Sequence, residues 1–244
     1  MKNSIFLLLL VLIYSCQGQQ KQILKIEGEL KQWHKVSIVV NGPETAEWGR
    51  ENPFLDYRLE AVFTNGSKKY TVPGFYAADG NAAETSSDNG NIWKVRFRPD
   101  TSGTWNYKIS FRKAKDIAVK ETENQGEPVT VDGYEGSFEV ADSDKDGNDF
   151  FTKGRIVNGG KGYFRHQGSD ELWIKNGADS PENFLAYTEF DQTLRFSLKT
   201  EVREGEADPK KDLHKYNSHV ADWKTGDPSW QNGKGKGMIG ALNY

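Results

Sequence analysis

The chain has 244 residues, enough for one large domain or two small ones, and a formal net charge of −3. No block of Lys or Arg stands out, which argues against a nucleic-acid partner. Seven Trp, 12% aromatic residues and 25 Gly suit turn-rich β structure, and flat rings also suit stacking on sugar faces.

In chain order, the first element is an export signal. Lys2 is a short basic region, residues 5–14 are an unbroken apolar run, and Ile13-Tyr14-Ser15-Cys16 follows. The run is too short to span a bilayer and right for a secretory signal. The sequence before Cys16 resembles a bacterial lipobox, whose cysteine is acylated and becomes the first mature residue. Cys16 is the only cysteine, so an exported chain would hold no disulfide. Residues 17–22 read as a polar tether. The expectation is an exported lipoprotein, periplasmic or at the cell surface, held to a membrane through a lipid on Cys16.

Residues 23–141 read as short strands separated by turns. Val36, Ile38 and Val40 alternate with their neighbours, and Tyr57, Leu59, Ala61 and Phe63 share one face. Asn65-Gly66 is a hairpin signal, and Pro73-Gly74 marks an edge or a bend in the returning strand. Trp93, Val95 and Phe97 share a face, as do Trp105, Tyr107, Ile109 and Phe111, which places Trp93 and Trp105 in the core. Residues 136–140 read as a closing strand. About seven strands at this spacing predict an immunoglobulin-like antiparallel β-sandwich. Trp33 and Trp48 fall in turns and are freer to meet a ligand, and residues 82–91 read as a mobile polar loop.

Residues 142–153 read as a linker. Asp142-Ser143-Asp144-Lys145-Asp146-Gly147 opens like a calcium loop, but the twelfth position, which needs an acid, is Lys153. Residues 154–170 predict a hairpin or ribbon leading to Leu172-Trp173-Ile174, an apolar run that reads as a buried strand. Gly177 breaks it, and Ser180-Pro181-Glu182 starts a helix with Phe184, Leu185 and Tyr187 on its apolar face. In α/β folds such a strand–loop–helix turn lies at the carboxyl end of the sheet, where ligands bind. Asn176, Asp179, Glu182 and Asn183 are therefore substrate-binding candidates, although Asp179 and Ser180 serve equally well as helix caps and Glu182 as an answer to the helix dipole.

Residues 193–212 are charged and aperiodic and read as a surface excursion. His214 and His219 lack the His-Glu-x-x-His order of a zinc protease. Gly233-Lys234-Gly235-Lys236-Gly237 lacks the Ser or Thr of a phosphate loop and reads as a flexible entry to a helix at Met238. Trp223, Asp227 and Trp230 sit where a loop could approach a sugar, or where the two rings could pack that loop onto the fold. No metal site and no cofactor is implied.

Several stretches carry a resemblance. Asn52-Pro53-Phe54, Val72-Pro73-Gly74-Phe75-Tyr76, Trp93 through Asp100 and Gly103-Thr104-Trp105-Asn106-Tyr107 resemble an uncharacterised immunoglobulin-like domain. In that family the domain precedes a glycoside-hydrolase (β/α)₈ barrel in secreted bacterial polysaccharide-degrading proteins. Residues 177–187, His219-Val220-Ala221-Asp222-Trp223 and Gly226-Asp227-Pro228 resemble the start of the barrel. The resemblance implies a mainly β chain with the sandwich at 23–141 and the start of a barrel at 154–244. Such a barrel takes about 250 residues, far more than follow Gly154, so an amino-terminal fragment is expected. Glycosidic hydrolysis uses two carboxyl groups roughly 5–10 Å apart. In similar barrels they commonly stand on the fourth and seventh strands, so this chain alone is expected to be inactive. The reading is the amino-terminal part of a lipoprotein glycoside hydrolase acting on a complex polysaccharide. The alternative is a non-catalytic, surface-anchored module that binds a polysaccharide or oligosaccharide.

Overall fold

The computed structural model describes residues 23–120, 126–147, 149–160, 162–175, 184–191 and 213–244. Cys16, the signal and tether, Asn176, Asp179, Glu182, Asn183 and the charged excursion at 193–212 lie outside the described residues. Among those described, no helix is long and apolar enough to cross a membrane.

The chain is mainly β. Its larger sheet contains β1 (Leu24–Gly28), β2 (Val36–Ala46), β3 (Tyr57–Asn65), β4 (Lys68–Tyr76), β5 (Asn89–Phe97), β6 (Gly103–Lys113), β7 (Glu127–Pro128) and β8 (Glu135–Val140). The order is β1-β2-β5-β4-β3-β6-β7, with β8 also beside β6, and every pair is antiparallel. The bend expected at Pro73-Gly74 joins the two halves. Before it β4 pairs with β3, ending at Glu60↔Pro73, and after it β4 pairs with β5, beginning at Gly74↔Val95. One strand thus belongs to both halves, and the sheet curls.

The curl closes the apolar faces on one core. Phe63 of β3 stacks on Phe97 of β5 at 4.1 Å, and Phe97 meets Trp105 of β6 edge-on at 4.9 Å. Trp93 of β5 meets Phe111 of β6 at 4.9 Å. β5 and β6 are not neighbours in the sheet, so these rings touch across the interior. The buried indoles still find partners: Trp93 donates to the Pro43 carbonyl at 3.1 Å and Trp105 to that of Thr101 at 3.0 Å. An unpaired buried N–H would cost about 1–3 kcal/mol, so these bonds are part of why Trp is tolerated here.

Alternation placed these faces correctly, but turns and short runs came out differently. The hairpin after β3 turns on Gly66-Ser67, because Asn65 still pairs with Lys68. Trp33 is 4% exposed and shut into the fold, unlike Trp48 at 76%. Residues 82–91 are not all loop: α1 (Ala82–Thr85) forms a helical turn and β5 begins at Asn89.

After the sheet come α2 (Phe150–Lys153), β9 (Ile156–Asn158), β10 (Phe164–His166) and β11 (Leu172–Trp173). Asp149 caps α2 by accepting from the Phe151 N–H at 2.7 Å. The expected ribbon forms as a small antiparallel sheet in the order β11-β10-β9. Leu172-Trp173-Ile174 is not buried, since β11 is an edge strand with Leu172 54% and Ile174 73% exposed. Three apolar residues do not distinguish a covered strand from an uncovered one. A 3-10 helix at Asn217–Asp222 and α3 (Lys236–Asn243) close the chain.

Candidate functional site

Two groups of side chains gather chemistry. The first lies where the larger sheet meets the segment that follows it. Asp100, just past β5, has its carboxylate fully shielded from solvent. Its Oδ2 accepts from the Tyr70 hydroxyl at 2.5 Å and the Gln167 amide at 3.1 Å, and Oδ1 from Lys68 at 3.1 Å. Arg155 Nη2 stands 3.2 Å from Oδ2, an ion pair rather than an aligned hydrogen bond. The guanidinium also lies over the rings of Tyr70, at 4.7 Å, and Trp33, at 5.9 Å. Burial alone would raise the carboxyl's pKa. The bonds from Tyr70 and Lys68 and the charges of Lys68 and Arg155 outweigh it and hold Asp100 below the usual aspartate range. Lys68 and Tyr70 belong to the sheet, Arg155 and Gln167 to the following segment, so both share one buried anion. Beside it opens a cleft of about 430 Å³ lined by Gln32, Trp33, Lys68, Thr152, Gln167 and Asp100 itself.

The second group is built by the carboxyl-terminal segment. Tyr187 is buried and donates to Glu189 Oε2 at 2.5 Å. The same oxygen accepts from the Gly235 N–H at 2.7 Å, at the amino end of α3, where a carboxylate answers the helix dipole. Burial, then the bond from Tyr187 to the Glu189 carboxylate, pushes the tyrosine pKa up to about 12. Trp230 donates to the Glu189 carbonyl at 3.1 Å and stacks on Phe190 at 5.5 Å. Gly235 has φ +89, and a Cβ there would lie 2.0 Å from the Trp230 ring. The glycine-rich entry to α3 is therefore a fitted turn. Just before it, the Gln231 N–H donates to Glu84 of α1, in the connection between β4 and β5, at 2.6 Å.

Of the sequence candidates described, Trp230 belongs to this second group. Trp223 and Asp227 form a neighbouring turn. Trp223 donates to the Pro228 carbonyl at 3.1 Å and lies under Lys236 at 4.3 Å. Asp227 accepts from the Lys224 N–H and the Asn243 amide, each at 2.7 Å, which lowers its pKa, the Lys224 bond contributing most. All three residues are half-buried and bonded within the segment, while His219 pairs with Asp222 at 3.0 Å. Glu189 and Asp100 escaped the sequence reading. A helix start calls for an acceptor but does not say which, and Asp100 sits in a turn with no periodicity. Metal-ligating types meet among the described residues at Glu29, His34 and Asp144.

Residues 29–112, from just before β2 to near the end of β6, match the model of DUF5060, a domain of unknown function. No curated protein matches the chain at a significant level. A solved structure of a candidate glycoside hydrolase from Bacteroides vulgatus is similar at 20% identity and a TM-score of 0.37. The match covers 65% of this chain and 25% of that one, so this chain spans about a quarter of that protein's length.

Proposed function

We propose that the chain is the amino-terminal portion of an exported lipoprotein glycoside hydrolase acting on a complex polysaccharide. Its curled sheet is read as an immunoglobulin-like sandwich that supports a (β/α)₈ barrel begun at residue 154. The observation that carries the supporting role is the Asp100 centre. A freely tethered binding module has no need of a buried anion whose partners, Arg155 and Gln167, come from the next segment. The docking of Gln231 on Glu84 supports the same reading from the far end of the chain. The loop at Asn176, Asp179, Glu182 and Asn183, with Trp223, Asp227 and Trp230, is proposed to line the substrate cleft.

The second reading, a surface-anchored glycan-binding module, draws on one feature. Trp48, Phe54 and Phe75 are exposed aromatic residues, and the latter two line a cleft of about 230 Å³. One experiment separates the two readings. The 244-residue chain and a product extended past Tyr244 are each assayed for reducing-end release and for retardation in gels containing soluble polysaccharides. Hydrolysis by the extended product alone, with no retardation of the shorter chain, supports the enzyme. Retardation of the shorter chain, lost in Trp48→Ala or Phe75→Ala, with no hydrolysis by either product, replaces it with the binding module.

A further inference from the structure

We propose that Glu29, His34 and Asp144 form a binding site for a divalent transition-metal ion of the zinc class. The turn after β1 brings the first two together: the His34 N–H donates to the Lys31 carbonyl at 3.1 Å and reverses the chain. The third is delivered by backbone pairing. Ala141 N–H donates to the Leu30 carbonyl at 2.9 Å and Gln32 N–H to the Ala141 carbonyl at 2.8 Å, which lays residues 142–144 along that turn. One donor atom from each of the three residues lies within 4.8 Å of the other two. Two donors on one tetrahedral zinc stand about 3.4 Å apart for bonds near 2.1 Å, so small side-chain rotations complete the site.

The independent sign is the histidine. His34 is 3% exposed, yet neither ring nitrogen has a hydrogen-bond partner. Buried polar groups are ordinarily paired, and an unpaired one asks for an unplaced ligand. Its Nδ1 faces Glu29 Oε2 at 3.8 Å, while Phe151 packs edge-on against the ring at 4.5 Å and fixes its position. One imidazole with two carboxylates is the donor set of a zinc-class ion; an all-oxygen shell would be expected for calcium or magnesium. The ligands span the sequence from residue 29 to residue 144, so no spacing motif announces them.

Lys31 is the competitor. Its ammonium bonds Asp144 Oδ2 at 2.5 Å and Glu29 Oε2 at 3.3 Å, and Lys145 lies 3.8 Å from Asp144 Oδ1. A lysine on its flexible stem can swing to solvent. A divalent ion in its place balances the two carboxylates and uses the histidine that the ammonium leaves unpaired.

The test uses the full chain without a histidine tag, stripped with a chelator and titrated with zinc sulfate. Calorimetry should show one ion per chain, with a rise in thermal midpoint. That binding should be lost in Asp144→Asn, an exposed change that spares the core, and in His34→Gln. It should be tighter in Lys31→Met. No binding by the native chain, binding that persists in Asp144→Asn or in a folded His34→Gln, or weaker binding by Lys31→Met overturns the site.

Discussion

At the scale of single residues, Asp100 is the side chain on which most depends. A buried carboxylate with several cationic and hydroxyl partners is costly to assemble and more costly to break. Asp100→Asn leaves Lys68 and Arg155 facing an uncharged group, and the expected loss is about 3 kcal/mol at neutral pH. Because the folded carboxyl is held below its ordinary value, its stabilisation is full above about pH 4 and fades as pH falls through the folded value. Urea unfolding of both proteins at pH 7 and pH 3 checks this: the gap between them should shrink at the lower pH. None of this was legible in the sequence. Tyr70 and Gln167 stand 30 and 67 positions away from Asp100, and a lone Asp after a strand reads as an ordinary turn residue. Trp33 failed for a related reason. It does sit in a turn, but one folded inward, with a carbonyl that accepts from Arg98.

Among the elements, strands were readable and short helices were not. In β3, β5 and β6 the period of two follows from the pleat, and burial of every second residue locks the register. α1 and α2 are single turns, too short for any helical period to show. α3 was anticipated, yet its fit was not. Gly240 faces the 3-10 helix so closely that a Cβ would lie 1.8 Å from the His219 carbonyl oxygen. Gly→Ala inside a helix ordinarily gains up to about 1 kcal/mol from propensity. Here a backbone oxygen stands in the way, and overpacking costs of about 1–3 kcal/mol dominate. Gly240→Ala should therefore lower the thermal midpoint. A midpoint unchanged or raised would show that α3 can slide away.

For the whole molecule, the larger sheet and the segments after it meet at Asp100, at Gln231 with Glu84, and at Lys31 with Asp144. Under the proposed function these contacts are what would hold the two parts in a fixed pose. The proposed anchor at Cys16 makes its own prediction. Expression in a bacterium fed a radiolabelled fatty acid should label the chain, and Cys16→Ser should abolish both the label and detergent-dependent fractionation. A label that survives the substitution removes the lipoprotein reading.

The bend at Pro73-Gly74 has a consequence for how this chain comes apart. β4 hydrogen-bonds to β3 before the bend and to β5 after it, so neither half of the sheet can peel away while β4 stays whole. Losing either half strips one run of the same strand and exposes the stacked Phe63 and Phe97 to water together. Amide protons on both sides of the seam, in β3 and in β5, are thereby expected to exchange with solvent through one opening event.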